Sequence, residues 1–420
     1  MSDVRGDNKR RQKDPLMRLT ERDILFSGVQ LEEMSVIEEV REIVSRYEGL
    51  TVGVIGSHSA EEVGIAAKSA GLKTVVVCQK GREALYAKYN RFLFDHIIIL
   101  ERFSDIIDES VQEELRDLNT IFIPNRSFTV YVGWQKIEEK LLIPLYGNRF
   151  MLKTEERTIH RNQYWLLERA GVRMPRIFRN PDDIDRLVIV KVRQKKKPLE
   201  RAFFTASSTS EYWKKAEELI RRDVIDEDDL KNAVIEEFVI GPRFNANYHA
   251  WALRDTFTDF DFLGFDDRRQ VNLHGILNLP ASEQMSLDIP IKNEEIGHFG
   301  VTMRESQKPL VYDAAERFIR TCAEEYPPGM IGPFALQGAI AYDPEDPEGK
   351  KLEFYVFDVS PRIPGSPCVG PTSPEMRRLT LKYAETMRDL GIGSVESVLD
   401  LTMIELKYAM KYGRLSEVVT

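Results

Sequence analysis

Cysteine is scarce in this chain of 420 residues: Cys78, Cys322 and Cys368 are an odd set without metal-ligand spacing, which argues against a disulfide framework and leaves reduced thiols as the simpler reading. Long apolar runs are missing too. No window approaches the ~18 consecutive apolar residues of a membrane span, and the stretch Met1 to Pro15 is polar and basic without a signal core, so a soluble, cytoplasmic protein with no membrane partner is expected. Positive charge is in deficit, with 59 Lys and Arg against 68 Asp and Glu and a formal net charge of −9. That balance disfavours general nucleic-acid binding, which draws on clustered cations. There is no internal repeat and no low-complexity segment. What is present is globular: 42% hydrophobic and 30% charged residues, in a chain long enough for two or three packed units sharing a cleft.

The order of patterns predicts an α/β unit followed by an α+β unit. A helical spacing of apolar residues between Ser35 and Tyr47 leads into strand-like runs at Thr51 to Ile55, Lys73 to Val77, His96 to Leu100 and Thr120 to Pro124, with helix-length segments between them. Such alternation implies a parallel, Rossmann-like sheet with crossover helices. Beyond Arg149 the texture changes to longer antiparallel candidates: Arg176 to Phe178, Val188 to Val192, Ala202 to Ala206, Val234 to Ile240, Phe257 to Phe265, and a hairpin of Phe334 to Tyr342 with Leu352 to Val359. Helices are expected over Asn162 to Ala170, Trp213 to Arg222 and Ala314 to Glu325. The Met376 to Tyr412 region is helical in pattern and is expected to pack back over the sheet.

Several stretches carry chemistry. The turn Gly56-Ser57-His58-Ser59-Ala60 after the first strand places backbone N–H groups at a helix start, a natural anion site. It lacks GxGxxG spacing, which disfavours a dinucleotide site and a dehydrogenase. A monophosphate cradle with His58 and Ser59 as donors fits the turn, and so does a plain cap. The turn Asn125-Arg126-Ser127 closes a neighbouring strand, and both turns are expected to face one crevice at the carboxyl ends of the sheet. Val188-Ile189-Val190-Lys191 puts a lysine at the end of an apolar strand, where it can reach a phosphate. Glu236 and Glu237 interrupt another apolar strand and need partners: adenine and ribose, or a salt bridge. Gln337 and Asp358 lie near the ends of paired strands and offer oxygen ligands suited to Mg²⁺. Arg362 follows closely and is placed to offset developing phosphate charge.

The sequence of a Rossmann-like unit, a strand lysine, an acidic hinge and a metal-ligand hairpin resembles the ATP-grasp superfamily. The stretches IGSHSA, IPNRSF, PLYGNR, IEEFVIG, LGFDDRRQVN, RES, PPGMIGPFALQ and VFDVSPRIPGS, spanning about residues 50 to 375, are more narrowly similar to the archaeal PurP family. The resemblance implies a Rossmann-like pre-ATP-grasp domain followed by a two-lobed ATP-grasp domain, divided as 1–48 (tail and helix), 49–150, 151–235 and 236–420. It implies that His58, Ser127 and Asn272 contact 5-aminoimidazole-4-carboxamide (AICAR) ribonucleotide, that Glu237 binds ATP, and that Gln337 and Asp358 hold Mg²⁺ or Mn²⁺. Lys191, Arg201, Glu236 and Val239 fall at nucleotide-binding positions. The implied reaction activates formate as formyl phosphate, which the AICAR amine attacks to give FAICAR, ADP and phosphate, in a homo-oligomeric enzyme of purine biosynthesis.

Two departures stand out. The family carries a glycine-rich loop after the strand lysine, whereas Arg193 to Arg201 contains no glycine and includes Pro198, so side chains rather than a close backbone would grip phosphates there. Asp358 stands where relatives often have glutamate, which shortens its reach. The sequence therefore also admits a divergent paralogue with another acid or amine, or a catalytically silent nucleotide-binding subunit.

Overall fold

The computed structural model describes residues 36–193, 201–287, 295–365 and 373–420. The tail Met1 to Pro15, most of the loop between Arg193 and Arg201, the side chains of those two arginines, and Cys368 lie outside the described residues.

β1 (Thr51–Ile55), β2 (Lys73–Gln79), β3 (His96–Leu100) and β4 (Thr120–Phe122) form a parallel sheet in the order β3-β2-β1-β4. Every residue of β1 is buried, as expected of a parallel strand covered on both faces. One face packs on α1 (residues 36–45) and α2 (Ala60–Ser69) through Val40, Val52, Val54 and Val63. The other buries Ile55, Val77, Leu115, Phe122 and Phe128 beneath α3 (Glu109–Asp117), α4 (Arg126–Val132) and α5 (Trp134–Lys140). Gly53 permits the tight pairing of β1 with β4, because a Cβ there would lie 2.5 Å from the Thr120 methyl.

After α6 (Gln163–Arg169), an antiparallel sheet forms from β5 (Ile177–Phe178), β6 (Val188–Arg193), β7 (Arg201–Ala206) and β8 (Val234–Glu237) in the order β5-β8-β6-β7. Its own small core joins Phe178, Val188, Val190 and Ile235 to Tyr212 and Ala216 of α7 (Thr209–Arg221), which precedes the short α8 (Glu227–Leu230). β8 ends at Glu237, three residues short of the strand expected from sequence, so Val239 lies beyond it. The expected division between residues 235 and 236 falls inside β8, whose hydrogen bonds to β5 and β6 keep it in this lobe.

The third sheet is antiparallel, in the order β11-β10-β9-β12-β13, from β9 (Arg243–Ala250), β10 (Phe260–Gln270), β11 (Glu295–Val301), β12 (Gly332–Tyr342) and β13 (Leu352–Ser360). α9 (Val271–Leu277) and α10 (Ala281–Ser286) follow β10, and α11 (Lys308–Glu325) covers one face. Phe244, Ala246, Tyr248 and Ala250 of β9 pack there with Val311, Ala314 and Phe318, so the alternation of a strand turns Asn245, Asn247 and His249 the other way.

α12 (Pro374–Lys382), α13 (Ala384–Leu390) and α14 (Asp400–Lys411) do not simply lie over that sheet. Met376, Leu379, Leu401 and Ile404 share a core with Val52 and Val63 of the front unit and with Trp251 and Leu263 of the third sheet, and Lys407 Nζ donates to Ala70 O at 2.7 Å. Fully buried Glu405 accepts from the Ala252 and Leu253 amides at 2.9 and 2.8 Å and from Tyr146 Oη at 2.6 Å. The C-terminal helices thus bind the front unit to the second lobe.

Candidate active site

The carboxyl ends of β1 and β4 meet, as strand ends in a parallel sheet must. Asn125 caps α4 by accepting from Phe128 N at 3.0 Å, and its amide donates across to His58 O at 2.8 Å and Ile55 O at 3.2 Å. Ser127 Oγ and Ser57 Oγ lie 2.8 Å apart. Ser59 starts α2 in the left-handed region, at φ 63°, without a side-chain cap bond, and its hydroxyl lies 3.4 Å from Pro364 O. This turn lines a cavity of about 740 Å³ whose opposite wall is Glu295, Gly297 and His298 of β11 with Gly365. Gly365 is needed there, because a Cβ would lie 2.9 Å from His58 Nε2 and 3.3 Å from His298 Nε2. Burial, then the nearby Arg362 charge, lowers the His58 pKa to about 4, so its ring is neutral at neutral pH. Asn272 sits on α9 and does not line this cavity.

A larger cavity, about 1350 Å³, draws its walls from both lobes of the second half: Lys191 and Glu236 from the smaller sheet, and Phe354, Val356 and Phe357 of β13. Lys191 Nζ and Glu236 Oε2 are 2.8 Å apart. Strand alternation sends the adjacent carboxylates to opposite faces, which is how β8 accommodates both. Glu237, 7% exposed, accepts from the Arg176 amide at 3.1 Å and lies 3.5 Å from Arg186 Nη1. Neither Glu237 nor Val239 lines this cavity, and the two cavities share no lining residue.

A polar row crosses the face of the five-stranded sheet turned away from α11, whereas Leu310, Asp313, Ala314 and Arg317 of α11 line the larger cavity; of the row, only Glu295 and His298 line a cavity, the smaller one. The row starts on β11, where His298 Nε2 lies 2.9 Å from Glu295 and His298 Nδ1 2.5 Å from Asp266 of β10. Asp266, fully buried, also accepts from Asn245 and Asn247 of β9 at 2.7 and 2.6 Å. Burial opposes a charged His298, but the bonds to Asp266 and Glu295 outweigh it and raise its pKa to about 9. On β12, Gln337 stands opposite Asn245 on one side and Asp358 on the other. Gln337 Oε1 accepts from Arg268 at 3.0 Å and its amide donates to Ser360 Oγ at 3.0 Å. The row ends on β13 at Asp358, which follows Phe357 of the larger cavity in the chain but, like Gln337, lines neither cavity.

Asp358 is partly buried and has no hydrogen bond or ion pair among the described residues. A free carboxylate facing an amide oxygen across paired strands fits a hard divalent cation that takes its remaining ligands from phosphate and water. Among the described residues no cluster of three or more His, Cys, Asp or Glu could hold a metal by itself. Arg362 is placed differently from the expectation: Nη2 and Nε lie 2.8 and 3.3 Å from the two Glu155 oxygens, and Nη1 donates to Ile363 O at 2.8 Å. Its guanidinium is committed to the protein. Sequence reading missed Asp266, Glu295, His298, Arg268 and the two asparagines. Two signals were available: Asp266 and Arg268 fall in the LGFDDRRQVN stretch, and Asn245, Asn247 and His249 alternate with apolar residues.

Comparison with known proteins gives two family models: "Domain of unknown function (DUF1297)" over residues 211–420 and "Protein of unknown function (DUF1246)" over residues 52–178. The chain is 41% identical over 331 residues to a 5-formaminoimidazole-4-carboxamide-1-(beta)-D-ribofuranosyl 5'-monophosphate synthetase from Methanopyrus kandleri, covering 78% of this chain and 87% of that one. It is 33% identical over 386 residues to the protein of the same description from Methanothermobacter thermautotrophicus, covering 91% and 98%. Among solved structures, the IMP biosynthesis protein PurP from Thermococcus kodakaraensis superposes with a TM-score of 0.61 at 24% identity, over 88% of this chain and all of that one, which speaks to the fold.

Proposed function

Because the chain belongs to the family of these archaeal 5-formaminoimidazole-4-carboxamide ribonucleotide synthetases, and has their ATP-grasp fold, we propose that it formylates the amine of AICAR ribonucleotide with formate at the expense of ATP. The observation that carries this reading is the polar row that runs from the His58 cavity to Gln337 and to Asp358, on the edge strand whose Phe357 lines the Lys191 cavity.

In this reading Lys191 and Glu236 receive the nucleotide, and the neutral ring of His58, with Ser57, Ser59 and Ser127, holds the ribonucleotide without adding charge. A formate oxygen attacks the γ-phosphorus and the bond to the β,γ-bridging oxygen breaks, releasing ADP. The amine nitrogen then attacks the formyl carbon, the carbon–oxygen bond to phosphate breaks, and the nitrogen sheds one proton. Magnesium held by Gln337 and Asp358 would supply charge neutralisation on the phosphates. The protein's part is alignment and electrostatics, since no acyl-enzyme nucleophile is required.

The test incubates the purified chain with ATP, Mg²⁺, formate and AICAR ribonucleotide. ADP and FAICAR are expected in equal amounts, each dependent on all three substrates. ADP formed only with another acid points to a shifted substrate, and ATP binding without ADP points to a silent subunit; both overturn the formate reading.

A further inference from the structure

One cation links the Glu295 and Gln337 ends of the polar row. Arg268 lies on β10 directly opposite His298, and its Nε is 2.8 Å from Glu295, a wall of the His58 cavity. Its Nη2 donates to Gln337, which stands opposite Asp358. Two tethers at different corners fix the guanidinium plane. Nη1 bonds to nothing among the described residues, and the side chain is 38% exposed.

From this placement we infer that Arg268 binds the carboxylate of the small acid substrate, holding it between nucleotide and ribonucleotide, an inference that rests on the ligase reading above. The chemistry demands such a point. The acid must present an oxygen to the γ-phosphorus beside Gln337 and Asp358, then present its carbon to an amine arriving from the His58 side. Asp266, Glu295 and Asp358 outnumber His298 and Arg268, so an anionic acid enters only against a cation. Of the other cations, Arg362 is paired with Glu155 and His298 with two carboxylates, Lys191 beside Glu236 is assigned to the nucleotide, and Arg82 on the smaller cavity lies over the Phe103 and Tyr131 rings. A planar guanidinium with a free edge is suited to a carboxylate, and it can follow the acid's negative oxygen as the acyl phosphate forms.

The experiment compares wild type, Arg268→Gln and Arg268→Lys in full kinetics on the intact chain. Arg268→Gln is expected to raise KM for formate about 30-fold, the scale of one lost charge-assisted hydrogen bond, with KM for ATP and for the ribonucleotide within about twofold. Arg268→Lys restores charge but not the fork and is expected to fall between. A formate KM within about twofold of wild type in Arg268→Gln, or an equal rise in all three constants, overturns the assignment. If Arg268→Gln fails to fold, Arg268→Lys decides: a formate-specific rise supports the assignment and an unchanged formate KM ends it. Wild type that turns over no formate fails the ligase reading before any substitution is made, and this assignment falls with it.

Discussion

Asp358 is a partly buried carboxylate without a neutralising partner among the described residues, and such a group is tolerated where a bound cation completes it. Asp358→Asn keeps the shape and removes the charge. It is expected to lower ATP turnover at least about 100-fold while shifting the melting temperature by less than about 2 °C. Full turnover would take Asp358 out of the chemistry. His58→Ala should raise KM for the ribonucleotide about 10-fold and leave KM for ATP alone, because His58 lines only the smaller cavity. The two histidines that face each other across Gly365 titrate in opposite directions. His298 holds its proton more tightly in the folded chain than near pH 6.5, where an unfolded histidine releases it. Its contribution to stability is therefore complete below about pH 6.5 and is lost as pH rises through about 9. His58 has its pKa depressed to about 4, so its contribution is present above about pH 6.5 and disappears as pH falls toward 4. Urea unfolding at pH 6.5 and pH 9.5 should show a steeper loss for wild type than for His298→Asn; equal losses would mean that the imidazolium between Asp266 and Glu295 does not form.

At the scale of the element, the stretch Pro144 to Arg149 reads in sequence as a family marker and acts in the structure as a joint. Fully buried Arg149 donates to Leu141 O and Thr420 O at 2.7 Å each and to Ile137 O at 3.1 Å, while Asn148 donates to Tyr326 O at 2.8 Å. Arg149→Met removes the guanidinium donor from Leu141 O and Ile137 O, while Thr420 O keeps the Leu145 amide at 3.1 Å. A loss of about 3 kcal/mol in chemical denaturation is expected, and a loss below about 1 kcal/mol would show that water replaces the guanidinium there. The elements that were legible beforehand are those whose burial follows from composition: β1 and β2 are β-branched runs enclosed on both faces, and β6, the apolar run that carries Lys191, announces itself in the same way. β9 was not legible, because Phe-Asn-Ala-Asn-Tyr-His looks half polar although Asn247 is wholly buried on Asp266 of the next strand and His249 beside Tyr146 of the front unit. The C-terminal helices had a visible apolar face, but periodicity does not say which surface that face meets. For the site the limit is register. Asp266 and His298 are 32 residues apart and meet because β10 and β11 pair antiparallel, and a bulge at Arg269 and Gln270 then shifts the strand. Asp266 and Arg268 fall in the LGFDDRRQVN stretch, but nothing local in the sequence pairs them with His298.

For the whole molecule, the distribution of cores predicts unequal stability. Front unit, C-terminal helices and part of the third sheet share one continuous core, so opening any of them exposes the others. The smaller sheet β5-β8-β6-β7 packs around its own cluster with α7 and is joined to the rest chiefly around the larger cavity. It should open independently, at lower free energy than the global transition. In hydrogen exchange, amides of β6 and β8 are expected to exchange faster than those of β9 and β12, and saturating ATP with Mg²⁺ should slow them selectively, since a ligand between the lobes stabilises the weaker one by its binding free energy. Uniform protection across both sheets without nucleotide would show that the lobe is not an independent unit. Slowing in β1 and β4 rather than β6 and β8 would place the nucleotide in the His58 chamber, reversing the assignment of the two cavities and moving Lys191 and Glu236 out of the ATP site.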